Sequence, residues 1–459
     1  MIQSIVDFQS PFFIGIAGTG MSALAQYLNG VGKQVSGSDR QFQTGVTNDT
    51  QIKLESEGIT CFPQDGSGIT NQTDLIVVST AIEDTVPEVV KAKQLGIPIL
   101  RRSAILAMIA ESKKTIAVGG TSGKSTTVAM IYEILSHAGL EPGIISGAGL
   151  TRLIKKGKIG NAAVGKGEWL VIEADESDGS IVQYKPEIGV LLNIDKDHQE
   201  IDLLIDLFET FKKNTSGFFV VNASHPLSKA LSVNNSWNFS IDENDQSAYH
   251  ATNYKQEGFC STLLINEVAF SLQSPGKHNM ENALAATTVA HLVGVSLMHA
   301  AEALRHYEGI YRRHQVLGCK KGIWVVDDYA HNPAKCAAAI AACQPVSHKV
   351  IAWFQPHGYG PTKFLKNDFI EEFSKVLRAD DEIWMSEIYY AGGTAVKDIS
   401  AKDLIDVLSG KGVRAYFVED RKELLNVMRP HLTEGSVLLM MGARDPDLEA
   451  FTQSVWNQL

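Results

Sequence analysis

Gly120-Thr121-Ser122-Gly123-Lys124-Ser125-Thr126 decides how this chain is read. It follows the apolar run Thr115-Ile116-Ala117-Val118 and precedes a helix-patterned segment, Val128 to His137. A glycine-rich turn between strand and helix aims backbone N–H groups at a phosphate, and the helix N-terminus adds partial positive charge. In such a turn Lys124 reaches the outer phosphates and Ser125 offers a hydroxyl to Mg²⁺. Val118 stands where the strict P-loop pattern has its first glycine, so a tight structural turn is the competing reading. The strand-turn-helix setting favours nucleotide binding, with Lys124 at a helix start facing the phosphates and not in a core.

Outward from this turn, short apolar strands alternate with amphipathic helices to both ends of the 459-residue chain. Strands are expected at Phe12–Ala17, Leu75–Ser79, Thr115–Val118, Leu170–Ala174, Gly189–Asn193, Phe218–Asn222, Ile323–Asp327, Lys349–Phe354, Glu382–Met385 and Val437–Met441. Helices are expected at Met21–Asn29, Ser125–His137, Leu203–Lys213, Asn279–Val293, Pro333–Cys343 and Pro446–Trp456. That alternation implies an α/β fold with parallel sheets and helical crossovers. Between Asn222 and Pro275 the pattern weakens into short pieces, read as a small antiparallel insert. Breaks near Ala110–Lys114 and Arg312–Gln315 give three α/β domains at 1–111, 112–314 and 315–459: a Rossmann-like first, a P-loop ATPase-like second and a Rossmann-like third.

The formal net charge of −11 argues against nonspecific binding to nucleic acid or anionic membranes, and it requires a local cluster of donors for any anionic substrate. Five cysteines without a CxxC pair indicate neither a disulfide framework nor a zinc site, and reduced cytosolic thiols are expected. No apolar run is long enough to span a bilayer. Asp7 precedes Phe12–Ala17 and no basic stretch does, so that run is expected to be a buried strand of a cytoplasmic protein.

The other chemistry-bearing residues fall at strand ends, where parallel sheets bind ligands. Gly15-Ile16-Ala17-Gly18-Thr19-Gly20-Met21-Ser22 reads as strand, glycine turn and helix start, with Asp39 at the distance where an acid meets a ribose hydroxyl. NAD and a UDP-sugar are both open as ligands, and a turn that only packs helix on strand is the bland alternative. Glu173-Ala174-Asp175-Glu176-Ser177-Asp178 and Asn193-Ile194-Asp195-Lys196-Asp197-His198 close two strands beside the P-loop, where a carboxylate and an imidazole are expected to be able to hold a second Mg²⁺. Each stretch alone reads as a solvated turn or a capping histidine; their joint placement favours the metal. His278-Asn279, with Asn282 one turn on, opens a helix whose carboxamides suit an adenine edge or a cap. Asp328-Tyr329-Ala330-His331-Asn332-Pro333 and Phe354-Gln355-Pro356-His357 end two later strands.

Five of these stretches, in this order, resemble the Mur ligases, ATP-dependent amide-forming enzymes of peptidoglycan synthesis, over essentially the whole chain. Gly-x-Gly-Met-Ser and Phe-Gln-Pro-His are similar to the branch that adds alanine to UDP-N-acetylmuramate. The resemblance implies roles. Gly120, Thr121, Ser122, Gly123, Lys124, Ser125 and Thr126 would bind ATP phosphates, and Asn279 and Asn282 adenine. Ser125, Glu173 and His198 would ligate Mg²⁺. Arg313 and Asp328 would close on the phosphates. Gly18, Thr19, Gly20, Met21, Ser22, Ser38, Asp39 and Ser79 would hold the UDP-sugar, while Tyr329 and His331 would face the incoming amine. Lys124, Glu173, His198, Asp328 and His331 would form the catalytic set. The chemistry implied is transfer of the γ-phosphate of ATP to a carboxylate, then attack of the amine on the acyl phosphate.

The chain departs from that branch in places. Gly358 and Pro361 stand where it usually has arginines that bind the amino-acid carboxylate, so Lys363 or Arg444 is expected to replace them. Ser122 stands where Asn or His is common, and Gly442-Ala443-Arg444-Asp445 differs from the usual Gly-Ala-Gly. Lys213 sits where some branches carry a carbamylated lysine, though a solvated helix lysine is the plainer reading. The expected partners are UDP-N-acetylmuramate and an amino acid, L-alanine first, with the protein a monomer or homodimer. The alternatives are a peptide acceptor in cell-wall recycling and a non-catalytic nucleotide-binding partner protein.

Overall fold

The computed structural model describes every residue except 1, 44, 46–47, 196–199, 391 and 393–395. Its residues group into two compact units: Met1–Tyr254 with Thr262–Leu272 and His278–Ile310, and Lys255–Ser261 with Gln273–Lys277 and Tyr311–Leu459.

The first unit opens with β1 (Pro11–Ile14), β2 (Ser36–Asp39), β3 (Thr60–Pro63), β4 (Leu75–Val78) and β5 (Ile99–Arg101), all parallel in the order 3-2-1-4-5. Every residue of β1 and β4 is buried, as parallel strands covered on both faces require. The order reverses at β1, so the glycine turn after it opens at the crevice where such sheets bind ligands. A second sheet holds β6 (Lys114–Gly119), β7 (Gly143–Ile145), β8 (Ala162–Ala163), β9 (Trp169–Glu173), β10 (Ile188–Leu191) and β11 (Phe218–Val221), in the order 11-10-6-9-7-8. Its strands are parallel apart from β8, which runs against β7. β6 is thus flanked by β10 and β9, and all three deliver loops to one edge. Helix Lys124–His137 buries Thr127 to Tyr132, Ile134 and Leu135, and helix Lys277–Leu292 is buried almost all round, as a helix enclosed by other elements must be.

A small sheet follows: β12 (Phe239–Ser240), β13 (Tyr249–Glu257), β14 (Cys260–Ile265) and β15 (Val268–Leu272). The insert was expected to be antiparallel, but β12 runs parallel to β13. The Ala223 N–H donates to the Phe239 carbonyl at 2.8 Å, and this ties the short strand to the exit of β11. A two-residue strand carries no period from which its direction can be read.

The second unit carries β16 (Gln315–Lys320), β17 (Ile323–Asp328), β18 (Lys349–Gln355), β19 (Glu382–Met385), β20 (Arg414–Phe417) and β21 (Ser436–Gly442), in the order 16-17-21-18-19-20. Only the β16–β17 pair of this sheet is antiparallel. Trp353 and Trp384 are enclosed, and each indole N–H finds a partner, Ser386 Oγ at 3.1 Å and Glu382 Oε2 at 2.9 Å.

Candidate active site

β6 leads directly into the glycine turn, and Gly123, at φ +85°, caps helix Lys124–His137. A Cβ on Gly123 would lie 2.5 Å from Asn282 Oδ1, and one on Gly120 (φ +135°) 3.0 Å from Leu192 Cβ. Left-handed backbone and crowding together restrict both positions to glycine. Asn193, just past β10, accepts from the Ser122 N–H at 2.8 Å and the Thr121 hydroxyl at 2.9 Å, and it donates to the Ser122 carbonyl at 3.1 Å. The Asp195 N–H donates to Thr121 Oγ1 at 3.0 Å, and the Asp195 carboxylate lies 3.2 Å from His225 Nε2. These bonds fix the turn before any ligand arrives, which is what preorganised N–H donors require.

Lys124 Nζ donates to the Gly120 carbonyl and to Glu176 Oε2, each at 2.7 Å. Its side chain is 15% exposed and that of Glu176 is 5% exposed, so the lysine is enclosed rather than open as its sequence position suggests. The reason is the acidic stretch after β9, which supplies a buried counter-charge. Burial works to lower the Lys124 pKa, but Glu176 and Asp175 outweigh it and raise the value. Burial pushes Glu176 above the ordinary glutamate value despite Lys124. Asn282 Oδ1 accepts from Thr127 Oγ1 at 3.2 Å beneath the turn, and Asn279 is buried one turn earlier on the same helix.

Glu173 ends β9 opposite Val118. Its Oε1 accepts from the Ser146 hydroxyl at 2.8 Å and the Gly147 N–H at 2.7 Å. A Cβ on Gly147 would come within 3.1 Å of Oε2, so the glycine keeps space beside that oxygen. A carboxylate oxygen and the Ser125 hydroxyl are hard donors of the kind Mg²⁺ takes, so the residues present fit that ion. His198, the third expected ligand, lies outside the described residues, and among those described no group of three or more His, Cys, Asp or Glu could hold a metal. Lys213 is exposed and pairs with Glu209 at 3.7 Å, as a solvated helix lysine does.

At the first glycine turn, Gly18 precedes helix Thr19–Gly30. Asp39 accepts from the Ala17 N–H and the Gln41 N–H, each at 3.0 Å, so its carboxylate braces the turn. Met21, Ser22 and Ser38 are buried, whereas Gly18 and Thr19 are the exposed residues of the motif. Ser79, half-buried, follows β4 on the neighbouring strand. Arg102, which the sequence reading passed over, lies against the helix start: its Nη1 is 3.2 Å from where a Cβ on Gly20 would be. It pairs with Asp178 at 2.7 Å and reaches Asp175 at 3.9 Å. One acidic stretch therefore engages a cation at each of the two glycine turns. The signal was present as Arg101-Arg102 at the end of an apolar run, but charge at a strand end is common.

In the second unit, Arg312 forms a two-pronged, buried pair with Asp327 at 2.9 and 3.2 Å and donates to the Gly442 carbonyl at 3.1 Å. Asp328 accepts from the His314 N–H at 2.6 Å and the Ala330 N–H at 2.7 Å. Arg313 lies over the Tyr329 ring at 5.1 Å. The Tyr329 and His331 rings are 5.7 Å apart, as are those of His331 and His357, so the two histidine motifs do meet. A carbonyl can only accept, so the Nδ1 of His331 carries the proton in its 2.9 Å bond to the Tyr329 carbonyl. Nε2 then holds the lone pair. Lys335 and Arg313 act on His331 and Arg444 acts on His357, each helping to lower the pKa below what burial sets. Lys363 instead pairs with Asp398 at 2.5 Å on the surface. Lys335, in the first turn of helix Pro333–Cys343, is the cation that sequence reading missed here.

Burial pushes His314, His331 and His357 each from 6.5 down to about 4. They stay neutral in the fold, whereas in the unfolded chain they take up protons near the ordinary histidine value. Between those values the unfolded state binds more protons, so stability falls as pH falls through the window from 6.5 toward 4. Scanning calorimetry is expected to give a lower Tm at pH 5 than at pH 7.5. His314→Phe, at a fully enclosed ring, should flatten that dependence; identical slopes in both proteins would contradict this.

Three family models match in order: "Mur ligase family, catalytic domain" over 12–114, "Mur ligase middle domain" over 118–290 and "Mur ligase, glutamate ligase domain" over 312–444. The chain belongs to the Mur ligase family. Within it, the chain is 35% identical over 447 residues to the UDP-N-acetylmuramate–L-alanine ligase of Carboxydothermus hydrogenoformans, covering 94% of this chain and 93% of that one. It is 35% identical over 455 residues to the ligase of the same name from Caldanaerobacter subterraneus, covering 95% of each. The solved UDP-N-acetylmuramate-alanine ligase of Thermotoga maritima superposes with a TM-score of 0.81 at 26% identity, covering 98% of both chains. A murein peptide ligase from Psychrobacter arcticus shares the fold, with a TM-score of 0.68 at 21% identity and 98% coverage of both chains.

Proposed function

We propose that this enzyme joins L-alanine to the carboxylate of UDP-N-acetylmuramate at the expense of ATP, in the cytoplasm, as a step of peptidoglycan synthesis. The observation that carries the reading is the end-to-end match to ligases of that name, with the nucleotide turn intact at its centre. Residues 1–111 would hold the sugar nucleotide, 112–314 ATP, and 315–459 the amine.

The residues fit the chemistry. A carboxylate oxygen of the sugar nucleotide attacks the γ-phosphorus of ATP, and ADP leaves. The N–H groups of Gly123, Lys124 and Ser125 at the helix start and the ammonium of Lys124 stabilise charge on the transferring phosphoryl. Mg²⁺, when bound through Ser125 and Glu173, supplies further positive charge there. The amine nitrogen then attacks the acyl carbon and inorganic phosphate departs. His331, held neutral by its surroundings, presents the Nε2 lone pair to the amine. Arg444, with Lys335 and Arg313, supplies the positive charge a carboxylate needs in place of the missing arginines at Gly358 and Pro361. Arg444 stands at φ +63°, a backbone region that non-glycine residues rarely occupy and that recurs at functional sites.

One observation favours a larger amine as a second reading. A solvent-open groove of about 420 Å³ lies just past Phe354-Gln355-Pro356-His357, lined by Tyr359, Glu387, Lys397, Asp398 and Asp403 among others. A peptide acceptor, unlike a single amino acid, is long enough to use such a groove. Phosphate release from ATP and UDP-N-acetylmuramate, with L-alanine and peptides as rival amines, tests both readings.

A further inference from the structure

Asn161 is fully buried, and its side chain is bonded to the start of helix Thr19–Gly30. Nδ2 donates to the Thr19 carbonyl at 2.8 Å and to Ser22 Oγ at 3.0 Å, while Oδ1 accepts from Gln26 Nε2 at 2.7 Å. Its backbone carbonyl accepts from the Ser146 N–H at 2.8 Å. Ser146, also buried, donates its hydroxyl to Glu173 Oε1 at 2.8 Å. The two residues flank the paired strands β7 and β8, where Ile145 opposes Ala162. An unbroken series of hydrogen bonds therefore runs from the first glycine turn, through Asn161 and Ser146, to the Glu173 carboxylate beside the second.

A buried amide and hydroxyl are costly unless paired, and apolar residues would fill such a site without that risk. A network whose bonds are made instead fixes one geometry. The geometry fixed here is between two ligand sites, and a misplacement of about 1 Å between reacting groups can cost about a hundredfold in rate. We propose that Asn161 and Ser146 are positioning residues for ligation: together they hold the sugar-nucleotide turn and Glu173 in one register, so that the donor carboxylate meets the transferring phosphoryl. The proposal rests on the ligase reading, and both residues act through other groups.

The test splits the two ends of the relay. Ser146→Ala removes the donor to Glu173 and keeps the backbone bond to Asn161. Asn161→Asp removes the Nδ2 donor and sets a carboxylate against the Thr19 carbonyl. With a non-hydrolysable ATP analogue, Ser146→Ala is expected to weaken Mn²⁺ binding, read by paramagnetic resonance, by about tenfold, the usual effect of removing a group that orients a metal-binding carboxylate. Its calorimetric Kd for UDP-N-acetylmuramate should hold steady while kcat falls. Asn161→Asp should weaken UDP-N-acetylmuramate binding by about tenfold, because the carboxylate repels the Thr19 carbonyl and displaces the turn, and restoring it on binding costs about one hydrogen bond's worth of free energy. Unchanged Mn²⁺ binding and kcat in Ser146→Ala would overturn the proposal, as would a loss of metal and sugar-nucleotide binding in equal measure with a fallen Tm. Wild-type protein that does not bind UDP-N-acetylmuramate would overturn the ligase reading itself, and the wild-type arm alone shows that.

Discussion

Lys124→Ala is expected to lower turnover by about 10²–10³-fold, the cost of losing one preorganised donor aimed at developing charge. The same substitution strands Glu176, which is buried against the lysine at 2.7 Å. Removing one partner of a buried pair costs about 3–5 kcal/mol when the other stays charged. Glu176 escapes part of that by taking a proton, since burial already holds its pKa up. The single variant should therefore unfold at lower temperature. Lys124→Ala combined with Glu176→Gln should recover stability and remain slow. Steady-state phosphate release and calorimetry on both proteins separate the two effects; near-normal turnover by either folded variant would sink the assignment of the turn.

The second large effect is at the acceptor. Arg444→Ala is expected to raise the KM for L-alanine by about 10- to 100-fold, because a hydrogen bond to a charged group is worth about 1.5–3 kcal/mol. The kcat should change less, since the carboxylate is bound alike in ground and transition states. Lys363→Ala should leave both parameters alone, because Lys363 pairs with Asp398 on the surface. Saturation by L-alanine that Arg444→Ala and Lys335→Ala both leave untouched would refute this pocket.

What could be read in advance follows burial. Strands such as Leu75–Val78 and Lys349–Gln355 are covered on both faces, so an apolar run marks them within a residue or so. The strand Ser36-Gly37-Ser38-Asp39 was invisible: its residues are small and polar, and a Cβ on Gly37 would lie 2.5 Å from the Phe13 carbonyl, so close packing rather than hydrophobicity makes it a strand. Gln315–Lys320 and Arg414–Phe417 are sheet edges, with half-exposed and mixed composition. The glycine turns and strand-end acids were legible because backbone geometry restricts which residues serve there. Their partners were not. Arg102 with Asp178, Lys124 with Glu176 and Lys335 near His331 depend on tertiary placement, which local pattern does not encode. Asp39 shows the converse, a residue whose spacing indicates a ligand contact and whose carboxylate is bonded to the turn's own backbone.

Formation of an amide bond between UDP-N-acetylmuramate and L-alanine is the defining reaction of this ligase. It is tested most directly by incubating the purified protein with ATP, Mg²⁺ and UDP-N-acetylmuramate. Amines are supplied one at a time, with mass analysis of the sugar nucleotide beside phosphate release. One phosphate per amide formed is expected, with L-alanine the best amine and the product heavier by one alanyl residue. Phosphate release and product formation with a peptide but not with L-alanine would contradict the acceptor assignment, and no amide product with any amine would contradict the ligase reading.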